Sequence, residues 1–327
     1  MHILLVNPCH IPAATYGGTE RVIWYLGREL VNMGHKVTYL VNKGSSCSFA
    51  DVVFLDPATP VSAQIPTSVD VVHYNMTPPD ETGKPYLVTM HGNRNDYGEF
   101  DINTVFVSRN HANRFNSDSF VYNGMDWDDY GKVQLDNKRD YFHFLGNAAW
   151  RVKNVKGAIK VISAVKGEKL KVLGGNRLNI KMGFRLTLNP SIQFCGMVGG
   201  PEKLSLLQGS KGLVFPVRWQ EPFGLAITES LYFGCPVLGT PYGSLPELVP
   251  SDVGFLSNNS QELADAVRDI DIYSRKRCHE YAVDIFNSRK MAEAYLEKYT
   301  AILNGETLNK VKPKLVEQQT EKFLEWH

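Results

Sequence analysis

The chain has 327 residues, 43% hydrophobic and 21% charged, so it can bury a sizeable core and is too long for one domain of ordinary size. Thirty-five lysines and arginines balance thirty-four acidic residues, and a net charge of +1 excludes a global pull toward nucleic acid or anionic membrane, so any phosphate site must be local. The five cysteines are odd in number, scattered and without a CxxC pair, which argues against disulfide scaffolding and structural zinc and for a reducing, cytoplasmic compartment.

The opening HILLVNP lacks the basic lead and apolar run of a signal peptide, and no later run is long enough to span a membrane, so a soluble protein is expected, with peripheral contact at the inner membrane face still compatible. Residues Ile3 to Asn7 read as a strand, followed by a glycine-containing loop, a helix from Thr19 to Met33 stopped by Gly34, and a second strand in HKVTYLV. This is a βαβ unit. The runs DVVHY (70–74), YLVTMH (86–91), TVFVS (104–108) and FVYNG (120–124) are short and rich in β-branched or aromatic residues, as strands of a parallel sheet buried on both faces would be. A polar stretch, MDWDDYGKVQLDNKRD (125–140), reads as a linker.

Beyond it, YFHFLG (141–146), KLKVLGG (169–175), IQFCG (192–196), GLVFP (212–216) and PVLGT (236–240) alternate with helical segments such as 225–234 and 261–269. The expected fold is therefore α/β, with two Rossmann-like doubly wound domains: residues 1–135 plus 288–327, and residues 136–287. Such domains bind ligands at the carboxyl ends of their strands, so a cleft is expected there. SRKMAEAYLEKYTAIL (288–303) reads as a helix with Met291, Tyr295 and Tyr299 on one face. The polar tail after it offers Phe323, Leu324 and Trp326 as an apolar foothold.

The segment that carries chemistry is VFPVRWQEPFGLAITESLYFGCPVLGT (214–240). A strand ends at Pro216, a loop carries Glu221, and a helix opens at Gly224 and Leu225 behind Pro222 and Phe223. Free amides and the dipole at a helix start suit a diphosphate, and a glycine lets it approach the backbone. Glu229, about one turn into the helix, can accept two ribose hydroxyls with its two oxygens. Glu221 is placed to meet sugar hydroxyls. Taken singly, the two glutamates would pass for solvated carboxylates; the whole string points to a site.

That string resembles the E-x7-E signature of retaining glycosyltransferases of the GT-B fold, particularly family four. HILLVNP with Gly17 and Gly18 before a helix resembles that family's first βα loop, VTMHGN its strand ending in a histidine, VYNGMD its Asn-Gly-x-Asp turn, YGSLPELV (242–249) its Gly-x-x-Glu loop, and 288–303 its helix crossing back to the first domain. The resemblance implies a retaining, metal-independent glycosyltransferase of hexosyltransferase type, using a UDP- or GDP-type sugar nucleotide as substrate and no cofactor. Its acceptor would be a glycan, a lipid-linked or a small-molecule hydroxyl, in polysaccharide or glycoconjugate synthesis. It implies Glu221 and His91 at the reacting sugar and Glu229, Phe223, Gly224, Leu225, Gly17 and Gly18 around the donor.

One departure stands out. The family usually shows Gly-Arg-x-x-x-x-Lys-Gly after the strand matching YFHFLG, whereas Gly146 is followed here by Asn147, with Arg151, Lys153 and Lys156 further on. Arg151 and Lys153, then Lys156, are the expected substitutes on the diphosphate, with Arg218 of lower rank. The missing arginine keeps a catalytically silent nucleotide-sugar-binding subunit open as an alternative, beside a nucleotide-sugar epimerase. Three other features read as structural or ambiguous: Asn123-Gly124 as a turn, Asp126-Trp127-Asp128 as hydrated linker carboxylates and not a metal site, and His73 as either core or cleft lining.

Overall fold

The computed structural model describes residues 1–13, 17–180 and 182–327 and divides the chain into two compact units. The first comprises Met1–Trp127 and Phe286–Gln319. In chain order it contains β1 (His2–Val6), α1 (Gly18–Asn32), β2 (Lys36–Val41), β3 (Asp51–Phe54), β4 (Val71–Tyr74), β5 (Tyr86–Met90), β6 (Thr104–Phe106) and α2 (Arg109–Arg114). The strands pair in parallel in the order β3-β2-β1-β4-β5-β6. Helix α1 buries Val22, Ile23, Leu26 and Leu30, spaced by one and two turns, and ends before Gly34 in the left-handed region.

The helix Ser288–Leu303 turns Met291, Tyr295 and Tyr299 inward, as its pattern predicted. Polar side chains pin it to the sheet. His73 bonds the Tyr299 hydroxyl at 2.8 Å through Nδ1 and the Thr89 hydroxyl at 2.7 Å through Nε2, and Thr89 meets the Tyr295 hydroxyl at 2.8 Å. His73 is thus a core residue whose two ring nitrogens are satisfied.

Two local expectations fail in this unit. FVYNG forms no strand: Phe120 makes a single bridge to Phe106 of β6, after which the Met125 amide donates to the Phe286 carbonyl and the Ser288 amide to the Met125 carbonyl. Gly124 is consequently no turn residue; a Cβ there would collide with the Asn287 carbonyl. Asp126, expected to be hydrated, instead pairs with Arg28 at 2.7 Å.

The second unit comprises Asp128–Ile285 and Thr320–His327. It runs β7 (Tyr141–Leu145), α3 (Val155–Ser163), β8 (Leu170–Leu173), β9 (Leu178–Asn179), β10 (Arg185–Leu186), β11 (Ile192–Phe194), α4 (Gly200–Gln208), β12 (Ser210–Phe215), α5 (Leu225–Tyr232), β13 (Val237–Gly239), α6 (Leu245–Leu248), β14 (Gly254–Leu256), α7 (Ser260–Arg268) and α8 (Arg275–Ile285). Six strands pair in parallel in the order β11-β8-β7-β12-β13-β14, and β9 and β10 form a separate antiparallel hairpin. Both six-stranded sheets thus have the 3-2-1-4-5-6 order of dinucleotide-binding folds, whose order reverses beside the first strand. In the second unit that switch point lies between β7 and β12.

The unit boundary falls at 127/128, not 135/136, because residues 128–135 bond to the second unit: the Tyr232 hydroxyl donates to the Gly131 carbonyl at 2.7 Å and the Gln134 amide to Gln208 Oε1 at 3.0 Å. The last eight residues also belong to the second unit, not the first. Leu324 exchanges bonds with Arg218, Ser260 donates to the His327 carbonyl, and Trp326 packs on the apolar cluster around Phe142 and Val172. Among the described residues no helix is long and apolar enough to cross a membrane, and all five cysteines are free.

Candidate functional site

The loops leaving β7 and β12 are bonded to each other. Asn154 donates to the Pro216 carbonyl at 2.9 Å while its Oδ1 caps α3 through the Gly157 amide, and the Arg218 amide donates to the Val152 carbonyl at 2.7 Å. This fixes Lys153. Its Nζ lies 2.5 Å from Glu221 Oε2, with the two side chains 13% and 7% exposed. Trp219 Nε1 donates to the same oxygen at 2.8 Å, and the ammonium sits 5.0 and 5.2 Å from the ring centroids of Trp219 and Phe215. Glu221 is therefore a buried, charge-paired carboxylate.

Its backbone is held by the loop before α6. Ser244 donates its amide to the Glu221 carbonyl at 2.9 Å and its hydroxyl to the Phe223 carbonyl at 2.8 Å. Gly243 has φ +62 and packs so closely that a Cβ would collide with the Glu221 backbone. Helix α5 then starts on Gly224, at φ +84, without a side-chain cap. Gly224 and Leu225 are half-buried, whereas the Phe223 ring is buried.

Glu229 is buried within α5. Lys203 of α4 reaches its Oε1 at 2.6 Å, and the Tyr130 hydroxyl donates to the same oxygen at 2.6 Å. Beneath this helix His143 bonds the hydroxyls of Ser210 and Ser230 at 2.7 and 2.8 Å, and burial pushes its pKa down to about 3, so it supports the helix as a neutral ring. Two buried carboxylate–ammonium pairs thus sit at the switch point, on one loop and the helix it opens.

The remaining predicted cations lie elsewhere. Arg151 and Lys156 line a cavity of about 360 Å³ together with Arg218, Phe323 and residues of the β9–β10 hairpin. Arg151 and Arg218 both stand over the Phe323 ring, at 4.7 and 5.3 Å, and Arg218 Nε donates to the Leu324 carbonyl at 2.7 Å. Arg218 is committed to the tail.

His91, Gly17 and Gly18 belong to the first unit. His91 follows β5, its Nε2 lies 2.8 Å from Asn75 Oδ1, and burial holds its pKa at about 4, which makes it a neutral hydrogen-bonding group at neutral pH. Gly17 is extended and its carbonyl accepts from Arg21 at 3.1 Å; Gly18 is the first residue of α1. No group of His, Cys, Asp and Glu suited to a metal ion occurs among the described residues.

The partners that sequence reasoning missed are Lys203, Tyr130, Trp219 and Gly243. Trp219 lies two residues from Glu221 and was within reach of local reading; Lys203 and Tyr130 lie 26 and 99 residues from Glu229 in ordinary polar surroundings and carried no signal.

With this geometry in hand, the architecture is that of the GT-B glycosyltransferases. A glycosyltransferase involved in avilamycin A biosynthesis, AviGT4, superposes with a TM-score of 0.73 at 22% identity over 94% of this chain and 99% of its own. HepE of Anabaena, in complex with UDP and glucose, superposes with a TM-score of 0.67 at 14% identity over 91% of this chain and 99% of its own. At the sequence level, residues 139–270 match the family of glycosyl transferases group 1. An uncharacterized 41.2 kDa protein in the cps region of Klebsiella pneumoniae is 25% identical over 116 residues; the match spans 33% of this chain and about a third, 32%, of that protein.

Proposed function

We propose that the protein is a retaining glycosyltransferase of family-four type, moving a sugar from a UDP- or GDP-type donor to an acceptor hydroxyl in polysaccharide or glycoconjugate synthesis. The observation that carries this reading is the pair of buried carboxylates, Glu221 and Glu229, eight positions apart and each held by a lysine at the β7/β12 switch point. They lie inside the stretch that matches glycosyl transferases group 1. HepE, of the same fold, binds UDP and glucose.

In this reading Glu229 accepts the ribose hydroxyls. A carboxylate offers about four acceptor positions. Lys153 and Trp219 both bond Glu221 through Oε2, so its Oε1 meets a sugar hydroxyl. Lys153 and the first amides of α5 meet the diphosphate, with Arg151 and Lys156 in supporting positions on the same loop. The acceptor oxygen attacks the anomeric carbon on the face from which the diphosphate leaves. The bond to the phosphate oxygen breaks as the new glycosidic bond forms, and the hydroxyl proton passes to the departing phosphate. Catalysis is then positioning and charge stabilisation.

Calorimetric titration of UDP and GDP into the wild type and Glu229→Ala tests the site. Loss of hydrogen-bond partners in a buried site, at about 1–3 kcal/mol, predicts a roughly 5- to 150-fold weaker Kd in the variant. Equal affinities would remove Glu229 from the donor site.

A further inference from the structure

The β9–β10 hairpin is inside out. Leu178 pairs with Leu186 and Asn179 with Arg185, so even-numbered residues share one face and odd-numbered residues the other. The odd face is folded onto the domain: Arg185 and Thr187 are buried, and the Arg185 guanidinium donates to the Asn176 carbonyl at 2.9 Å and stands 4.5 Å over the Phe194 ring. The even-numbered side chains from 178 to 188 are all apolar: Leu178, Ile180, Met182, Phe184, Leu186 and Leu188 are each 51–79% exposed, while Arg185 anchors the opposite side. A contiguous apolar strip of this kind marks an interaction surface.

Charge identifies the partner. Between Tyr141 and Pro201 the chain carries ten lysines and arginines against a single acidic residue, Glu168, although the whole protein is nearly neutral. Exposed Arg177 adjoins Leu178, and exposed Trp150 lines one cavity with Met182 and Phe184. Apolar and aromatic side chains flanked by cations are the pattern that lies in the headgroup region of an anionic bilayer. We propose that this hairpin docks the protein onto anionic phospholipid membrane, its even face entering the interface and the surrounding cations meeting lipid phosphates. The proposal stands on the hairpin and its charge surroundings and is independent of the sugar-transfer reading.

The test is co-sedimentation of the full-length protein with phosphatidylcholine vesicles, with and without phosphatidylglycerol, comparing wild type with Ile180→Asp/Phe184→Asp. Both side chains are exposed, so the variant should keep its circular dichroism and thermal midpoint. Wild type is expected to partition onto phosphatidylglycerol vesicles, more weakly as salt is raised, and the variant at least about tenfold less. Absence of wild-type binding, or equal binding by a folded variant, overturns the proposal. So does a concentration-dependent dimer, seen by sedimentation velocity without vesicle binding and abolished by the same substitutions, because the strip would then cover a second copy of the chain.

Discussion

Replacing Lys153 by Met keeps the aliphatic stem against Trp219 and Phe215 but strands the Glu221 carboxylate, which is 7% exposed on its side chain. Removing one partner of a buried ion pair typically costs about 3–5 kcal/mol. Trp219 Nε1 still donates to Oε2, so the lower end, roughly 3 kcal/mol, is expected. For a unit of this size that corresponds to a fall of about 6–12 °C in Tm. Glu221→Gln preserves an acceptor for Trp219 and leaves Lys153 its two aromatic neighbours, so its cost should be smaller, about 1–2 kcal/mol. The double variant carries neither charge and should lose no more than Lys153→Met alone, giving a coupling of about 1–2 kcal/mol. Urea unfolding of the four proteins, followed by circular dichroism, closes the cycle. A cost below about 0.5 kcal/mol for Lys153→Met, or additive single effects, would refute the buried pair.

Acid should destabilise the protein before its carboxylates titrate. Burial pushes His73 and His111 down to about 3 and His91 to about 4 in the first unit, and His143 to about 3 in the second. Between these values and the ordinary histidine pKa the unfolded chain binds more protons, so stability is full above about pH 6.5 and declines as pH falls, by up to about 2 kcal/mol per histidine at pH 5. Urea midpoints at pH 7.5 and 5 check the sign, and a midpoint that rises on acidification contradicts it. Because the proposed diphosphate contacts are lysine, arginine and backbone amides, turnover should survive dialysis against EDTA; activity lost to the chelator and restored by a divalent ion would show that a metal meets that charge instead.

The central strands were legible because strands buried on both faces leave continuous apolar runs such as YFHFLG and GLVFP. Two of the four edge strands, β3 and β14, were not, because DVVF and GFL are only partly buried and leave short apolar runs, whereas edge strands β6 and β11 fall within TVFVS and IQFCG. FVYNG has the composition of a strand, but after its bridge to Phe106 the chain is drawn to the start of the 288–303 helix. Composition carries no record of that competing pairing. Glu221 and Glu229 stood out because strand end, loop and helix are contiguous in sequence. What holds them was hidden, since Lys203 and Tyr130 reach Glu229 from other elements. The β9–β10 hairpin went unread, and which of its faces turns outward depends on the anchoring of Arg185, a tertiary contact.

Release of nucleoside diphosphate from a panel of UDP-, GDP- and ADP-sugars, incubated with candidate glycan and lipid-linked acceptors, tests sugar transfer at this site most directly. The account predicts acceptor-dependent release from one donor class and a loss of turnover of roughly tenfold or more in Glu221→Gln. Binding without release across the panel, or unchanged turnover in that variant, would contradict it.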